Sequence, residues 1–154
     1  MRTILYLIHI LGLLLFIQHV QANEVNKILS LHSRNEQVVA VLELSKLNAK
    51  DTTYIQGIVK PLLEHAKSKN NNPLEWACHM LLADSYSMAF DYINPRSDYH
   101  YNEAEKLFQN EKLKELAMVG HIRRGTYYYT YQEIRSVLPY FLKAIALRND
   151  VDKD

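Results

Sequence analysis

The stretch AMVGHIRRGTYYYTYQEIRSVLPYFLKAIALRN, residues 117–149, decides the fold that this chain is predicted to adopt. Gly125 lies in its first half, at a position where two helices could approach closely. Apolar or small side chains recur at helical spacing on both sides of a short polar break, at Val119, Ile122, Thr126 and Tyr129 and then at Val137, Phe141, Ala144 and Leu147. The pattern predicts two helices that fold back on each other and need similar neighbours to bury their apolar stripes.

The composition of the whole chain agrees with an all-α fold. Its 154 residues include only four glycines and four prolines, too few for a sheet with many tight turns. Leucine, alanine, glutamate and lysine are abundant, whereas an apolar–polar alternation of period two is hard to find. We therefore expect a helical domain over residues 23–154, one domain in size.

Residues 1–22 have the pattern of a secretory signal peptide. Arg2 supplies the positive start, residues 4–17 form an apolar run, and small residues occupy the positions before a cleavage site at Ala22. The run is shorter than the roughly 20 residues that a membrane-spanning helix needs. We expect cleavage after Ala22 and export to the periplasm or the extracellular space, with an uncleaved membrane anchor as the alternative.

The charge and cysteine content exclude several classes of partner and scaffold. Without Arg2, 17 basic side chains balance 17 acidic ones, and no basic patch points to nucleic acid or a membrane surface. Membrane contact is therefore expected only through the signal segment, if it stays uncleaved. Cys78 is the one cysteine and lies in an apolar run, so we interpret it as a buried core residue.

Several helix starts carry capping signals. Ser33 and Glu36 form a capping box, and Asp51 is suited to cap the helix after it. Pro61 should either kink that helix or mark a true start near Lys60. The remaining predicted caps are Asn72, which precedes a proline at the first helical position, and then Ser97 or Asp98.

The hairpin at residues 115–149 resembles a tetratricopeptide repeat (TPR). The residues that match the family pattern are Gly125, Tyr128, Val137, Phe141 and Ala144, and those that depart from it are His121, Arg124 and Asn149. An earlier copy matches at Leu82, Ala83, Tyr86, Ala104 and Phe108, with His79 again at the tryptophan position, and a third copy ends in Val59, Leu63 and Ala66. The resemblance implies antiparallel hairpins, approximately residues 35–70, 72–112 and 115–149, stacked as a short TPR-like α-solenoid.

The resemblance also implies a concave binding surface. Its predicted residues, taken from equivalent places in the last two copies, are Met80, Asp84, Ser87, Ile122, Arg123, Thr126 and Tyr129. Aromatic residues and arginine are favoured as interface anchors, although contacts to a neighbouring helix explain the same residues. The family's basic clamp for acidic peptide tails is absent from this sequence, so we expect no such ligand.

Signatures of catalysis or of a cofactor are missing from the sequence. The histidines after residue 22 are His32, His65, His79, His100 and His121, and no two of them have the spacing of metal ligands on one helix. No glycine-rich phosphate loop and no nucleophile elbow is present. We expect no metal and no cofactor; a bound metal, or a deep pocket that gathers several of the histidines with Asp84, would favour a helical hydrolase.

Two functions are consistent with these expectations. The first is an exported, non-enzymatic module that binds a protein or peptide on the concave face. The alternative is an extracytoplasmic input segment of a longer signalling protein, since solenoids need a polar terminal cap that this sequence lacks. The exported, asparagine- and tyrosine-rich character resembles TPR segments that precede sensor kinases or transcriptional regulators in Bacteroidetes-type bacteria.

Overall fold

A computed structural model describes residues 2–48, 50–107 and 113–151. Every regular element in these residues is an α-helix, with no strand among them, so the all-α class predicted from composition is confirmed. The helices are α1 (Arg2–Leu29), α2 (Arg34–Asn48), α3 (Thr52–Ser68), α4 (Asn72–Phe90), α5 (Pro95–Lys106), α6 (Lys114–Thr130) and α7 (Ile134–Val151). Phe108 and the end of the predicted 72–112 hairpin lie outside the described residues.

Two predicted helix starts are confirmed in atomic detail. The N–H of Glu36 donates to Ser33 Oγ at 3.1 Å, and the N–H of Ser33 donates to Glu36 Oε2 at 3.1 Å, which is the reciprocal capping box. Asp51 Oδ1 accepts from the N–H of Tyr54 at 2.9 Å and so caps α3.

Two other predicted caps are wrong. Asn71, one residue before the predicted cap, accepts from the N–H of Leu74 and caps α4. Asn94 caps α5 by accepting from the N–H of Ser97 at 2.9 Å, because Pro95 fits the first helical position. Ser97 instead lies inside α5, fully buried, and its hydroxyl donates to the carbonyl of Ala83 at 3.0 Å.

Pro61 lies inside α3 rather than at its start. The helix runs from Thr52 to Ser68 without interruption, so the alternative start near Lys60 is wrong. Ile55, Ile58 and Leu62 are fully buried along one face of this helix. The exposed Pro61 lies off that face, where loss of one backbone donor leaves the packing intact.

Helix α4 lies at the centre of the fold. It packs against α2, α3 and α5, with a smaller contact to α6, and therefore buries side chains around its whole circumference. Trp76, Leu74 and Leu81 have no exposed surface, and Cys78 is buried among them as predicted. Burial raises the pKa of the Cys78 thiol, which keeps it protonated and unreactive.

The helix pairs differ in how closely they pack. Helices α4 and α5 form a tight pair, as do α6 and α7, whereas α2 and α3 pack mainly on α4 and touch each other only slightly. The region predicted as the 35–70 hairpin is therefore arranged differently from the two later pairs, because α4 separates most of α2 from α3.

Gly125 of α6 lies close against Phe141 of α7. A Cβ atom at this position would lie 2.8 Å from the ring of Phe141. The neighbour that fills the space is thus the Phe141 side chain, and the glycine allows this ring to pack directly on the α6 backbone.

Helix α1 runs through the predicted cleavage site at Ala22. Its last turns join the core through the buried Val25 and Ile28, whereas its large apolar side chains between residues 10 and 17 are exposed. The Gln21 amide occupies the space that a Cβ would need at Gly57 of α3. Among the described helices, none combines the length and apolarity that crossing a bilayer requires.

Candidate functional site

A pocket of about 280 Å³ lies where α4, α5 and α6 meet. Most of its wall comes from the last turns of α4 and the second half of α6, and Tyr101 of α5 closes its inner end. Its lining residues are Asp84, Ser87, Met88, Tyr101, Ile122, Arg123, Thr126, Tyr127, Thr130 and Tyr131. The mixture of apolar surface and converging polar groups is typical of a binding pocket.

A partly buried ion pair crosses the inner end of this pocket. Arg123 Nη1 contacts Asp84 Oδ2, and the Tyr101 hydroxyl donates to Asp84 Oδ1 at 2.8 Å. Burial raises the pKa of the Asp84 carboxyl, although the Arg123 charge and the two hydrogen bonds lower it. Burial also raises the pKa of Tyr101 well above its usual value, and the Asp84 charge adds to this rise.

The hydroxyl groups of the pocket are committed to acceptors within the protein. On α6, Thr126 and Thr130 donate to the backbone carbonyls four residues earlier, each at 2.9 Å. Across the pocket, Ser87 Oγ donates to the Tyr131 hydroxyl at 3.2 Å, and Tyr131 donates to the Ser87 carbonyl at 2.9 Å. These hydroxyl oxygens can therefore accept hydrogen bonds from a ligand, whereas donation to a ligand is left mainly to Arg123.

The pocket brings together five of the seven predicted surface residues and leaves two outside. The five are Asp84, Ser87, Ile122, Arg123 and Thr126. Met80 is 99% buried within the core because α4 is enclosed on the side where helical spacing predicted a groove, so it does not line the surface. Tyr129 is 64% exposed and lies outside the pocket, because its position on α6 points it away from α4.

Sequence reasoning missed the tyrosines that line the pocket, Tyr101 of α5 and, at the end of α6, Tyr127 and Tyr131. Tyr127 accepts from the N–H of Asn94 at 2.8 Å, and Tyr131 bonds to Ser87, so both link α6 to α4 or its following turn. Burial raises the pKa of Tyr127 to about 12. The run of four tyrosines between residues 127 and 131 was the available signal, but the rotation of α6 decides which of them face α4.

Arg124 fixes the orientation of Arg123 by anchoring the other side of α6. Its guanidinium donates to Glu105 Oε2 at 2.9 Å and lies 4.7 Å from the ring centroid of Tyr140. This buried residue therefore ties α6 to both α5 and α7. Because adjacent residues on a helix point about 100° apart, fixing Arg124 leaves Arg123 facing the pocket.

No protein-family model, no curated protein and no solved structure matches this chain. The site is therefore interpreted from its own geometry.

A second polar contact lies away from the pocket, between α4 and α5. His79 Nδ1 and His100 Nδ1 are 3.0 Å apart, and the Tyr86 ring stacks on His100 at 5.7 Å between centroids. Burial lowers the pKa of both imidazoles to about 4, so both are neutral near pH 7. The pair links two helices, which agrees with the packing interpretation of His79.

Two further features of the described residues bear on the choice of site. Within residues 2–48, 50–107 and 113–151, no three His, Cys, Asp or Glu side chains are grouped so that they could hold a metal ion. The depression along α5, about 510 Å³ in volume, is larger than the pocket, but the residues that line it in the described part of the chain all belong to α5. A surface of that kind gives few converging groups, so the pocket at α4 and α6 is the better candidate site.

Proposed function

We propose that this protein is an exported, non-enzymatic binding module that takes a peptide segment of a protein partner into the pocket between α4 and α6. The single observation that carries the proposal is the convergence of Asp84, Ser87, Ile122, Arg123 and Thr126 on one pocket of peptide side-chain size.

The hydrogen-bonding capacity of the pocket suits a peptide. Arg123 is partly exposed and uses only Nη1 in its contact with Asp84, so its remaining N–H groups can donate to a peptide carbonyl. The committed hydroxyls of Thr126 and Thr130 offer acceptor oxygens to peptide N–H groups. Ile122 and Met88, each 44% exposed, add apolar surface for a side chain at the rim.

The same hydrogen bonds favour binding over catalysis. Each carboxylate oxygen of Asp84 already accepts a hydrogen bond from Tyr101 or Arg123, so its charge is paired within the protein rather than directed at a ligand. The Ser87 hydroxyl donates to Tyr131 and has no general base beside it among its hydrogen-bond partners. The histidine pair lies on another side of α4, so it does not bring the histidines together with Asp84.

The stacked-repeat arrangement and export form part of this proposal. The two tight pairs, α4 with α5 and α6 with α7, support a TPR-like arrangement for the later half of the chain. Export is supported by the signal-peptide pattern of residues 1–22. Intact mass of the chain recovered outside the cytoplasm should correspond to a first residue of Asn23.

Selection of binders from a displayed library of random peptides tests the proposal. Enriched peptides should bind the wild-type chain and lose at least roughly tenfold in affinity for Ile122→Glu and for Thr130→Trp. The first change puts a charge on the apolar rim, and the second fills the pocket. Both side chains are exposed, so the fold should be retained.

Val39→Glu and Val39→Trp are the matched controls, because Val39 is 58% exposed on α2, away from the pocket. Both control variants should bind like the wild type. Peptides that bind all four variants equally well would place recognition elsewhere, and enrichment of no peptide above background would count against a peptide-binding function.

A further inference from the structure

The hydroxyl groups that line the pocket between α4, α5 and α6 all donate their protons inside the protein. Their acceptors are backbone carbonyls, the Asp84 carboxylate and, for one serine, a tyrosine hydroxyl. A ligand group that needs a donor from these side chains therefore depends on Arg123, whose contact with Asp84 uses only Nη1. The six residues that carry the hydroxyls are Ser87, Tyr101, Thr126, Tyr127, Thr130 and Tyr131.

The same hydroxyl groups keep the capacity to accept hydrogen bonds. A hydroxyl oxygen has two lone pairs, and donating its proton uses neither of them. Thr126 Oγ1 and Thr130 Oγ1 lie at exposed positions of α6, and Ser87 Oγ lies across the pocket on α4. Among the described residues that line it, the pocket therefore offers acceptors on two walls but only one donor side chain, that of Arg123.

The formal charges of the pocket cancel. Asp84 and Arg123 are the two charged side chains among the described lining residues, and they pair with each other. A cationic ligand group would lie beside Arg123 although its countercharge is already paired. An anionic group would find donors on Arg123 alone and acceptor oxygens elsewhere. Both kinds of charged group are therefore disfavoured relative to a neutral one.

A primary amide carries the complementary set of groups. Its nitrogen has two N–H donors, and its carbonyl oxygen is an acceptor. Arg123 and Thr126 are three residues apart on α6, so their side chains are neighbours on the helix surface. The amide carbonyl can accept from Arg123 while its N–H groups donate to Thr126 Oγ1 and, across the pocket, to Ser87 Oγ. An aliphatic group of the same size would leave all three protein groups without a ligand partner.

We propose that the pocket is specific for a primary amide, the side chain of glutamine or asparagine, in the bound peptide segment. This specificity rests on the proposed peptide-binding function and names the side chain that enters the pocket. Met88 and Ile122, which are partly exposed at the rim, are placed to contact the aliphatic part of that side chain.

Four single-residue probes test this specificity by NMR titration of the full-length chain. Glutamine, methionine, glutamate and lysine are each capped with an N-acetyl and an N-methylamide group, so that only the glutamine side chain supplies a primary amide. The glutamine probe should bind at least roughly fivefold more tightly than each of the other three, because they lack either a donor, the acceptor or neutrality. The backbone signals of Ser87 and of the lining residues of α6 should shift.

Thr126→Val tests the predicted hydrogen bond, because valine has a similar shape to threonine but no acceptor. This change should lower the affinity for the glutamine probe by roughly three- to tenfold, which corresponds to one neutral hydrogen bond, and leave the methionine affinity unchanged. Thr53→Val is the matched control, since it makes the same change at an exposed position of α3, which does not line the pocket. The control should alter neither affinity.

Equal affinity for the four probes, tighter binding of a charged probe, no shift of the lining residues or an unchanged glutamine affinity in Thr126→Val would each overturn the amide specificity. Failure of the peptide-binding function would look different. Selected peptides that lose affinity for Ile122→Glu but show no preference for glutamine or asparagine would retain the proposed function and overturn only the specificity. Binding of the glutamine probe without any enriched peptide would support the specificity and count against peptide binding.

Discussion

Helices α4 and α7 are nearly equal in length, at 19 and 18 residues, and both carry apolar side chains on several sides. Around α4, four other helices cover these side chains, so the helix forms the centre of the core. Around α7, only the side that packs on α6 is covered, and a row of aliphatic side chains stays exposed. An apolar pattern therefore predicts which side chains of a helix need to be buried. Whether this chain alone can bury them depends on how many other helices pack around that helix.

A leucine-to-alanine substitution made in each of the two helices should give the largest difference in the free energy of unfolding. Leu81→Ala in α4 removes a fully buried side chain and should lower the free energy of unfolding by about 2–5 kcal/mol. Leu138→Ala in α7 removes a side chain that is 62% exposed and should cost less than about 1 kcal/mol.

Urea denaturation followed by circular dichroism measures both changes, at dilutions where self-association is absent. The slope with denaturant should stay constant in each variant, so that the midpoints report stability directly. Equal losses in the two variants would mean that α7 is as enclosed as α4.

The pair of His79 and His100 lies where α5 covers α4, so it tests the enclosure of α4 through the pH dependence of stability. Burial lowers the pKa of His79 and His100 from 6.5 to about 4, so the unfolded chain binds more protons between these values. The free energy of unfolding should therefore fall as the pH is lowered from about 6.5 to about 4, by a total on the order of 3 kcal/mol.

Denaturation series at several pH values measure this dependence. A His79→Gln, His100→Gln double variant should lose most of the slope in this window, whereas His32→Gln, at an exposed position, should keep it. A slope that is unchanged in the double variant would show that other groups cause the dependence.

The ion pair in the pocket should give a smaller effect, because Arg123 is partly exposed. Arg123→Met leaves the buried Asp84 carboxylate without its cation and should cost about 2 kcal/mol of unfolding free energy near pH 7. Asp84→Asn combined with Arg123→Met should recover part of this loss, because the buried charge is removed together with its partner.

A double-mutant cycle on the two residues measures their coupling by denaturation. Equal stability of the Arg123→Met and double variants would mean that the Arg123 charge does not stabilise the Asp84 carboxylate. Because Arg123 is also the proposed donor to a peptide carbonyl, the cycle is measured without peptide.

Local signals in the sequence predicted the fold class and some helix starts correctly. They did not identify the cap where several neighbouring residues could serve equally well. Ser33 forms a reciprocal capping box with Glu36, and Asp51 is a better cap than the two threonines after it, so both cap as predicted. Asn70, Asn71 and Asn72 carry the same side chain, so the sequence did not distinguish them as caps. The predicted cap, Asn72, lies one residue after the observed cap, Asn71.

The candidate site depends on how helices are rotated and enclosed, which sequence spacing does not specify. Met80 and Asp84 are four residues apart and share a face of α4, yet Met80 is in the core and Asp84 faces the pocket. Of the tyrosines between residues 127 and 131 the sequence predicted Tyr129 for the binding surface, whereas the packing of α6 on α4 places Tyr127 and Tyr131 in the pocket. The exposed row on α7 could be identified only from the structure, because the sequence does not show which side of α7 packs on α6.

Amide hydrogen exchange of the chain, with and without a selected peptide, tests the proposed binding function most directly. If the pocket is the binding site, peptide should slow exchange in the second half of α6 and around Ser87 and Asp91 at the end of α4, and leave residues 134–145 of α7 unchanged. Protection confined to α7, or to helices that do not line the pocket, would contradict the assignment of peptide binding to this site.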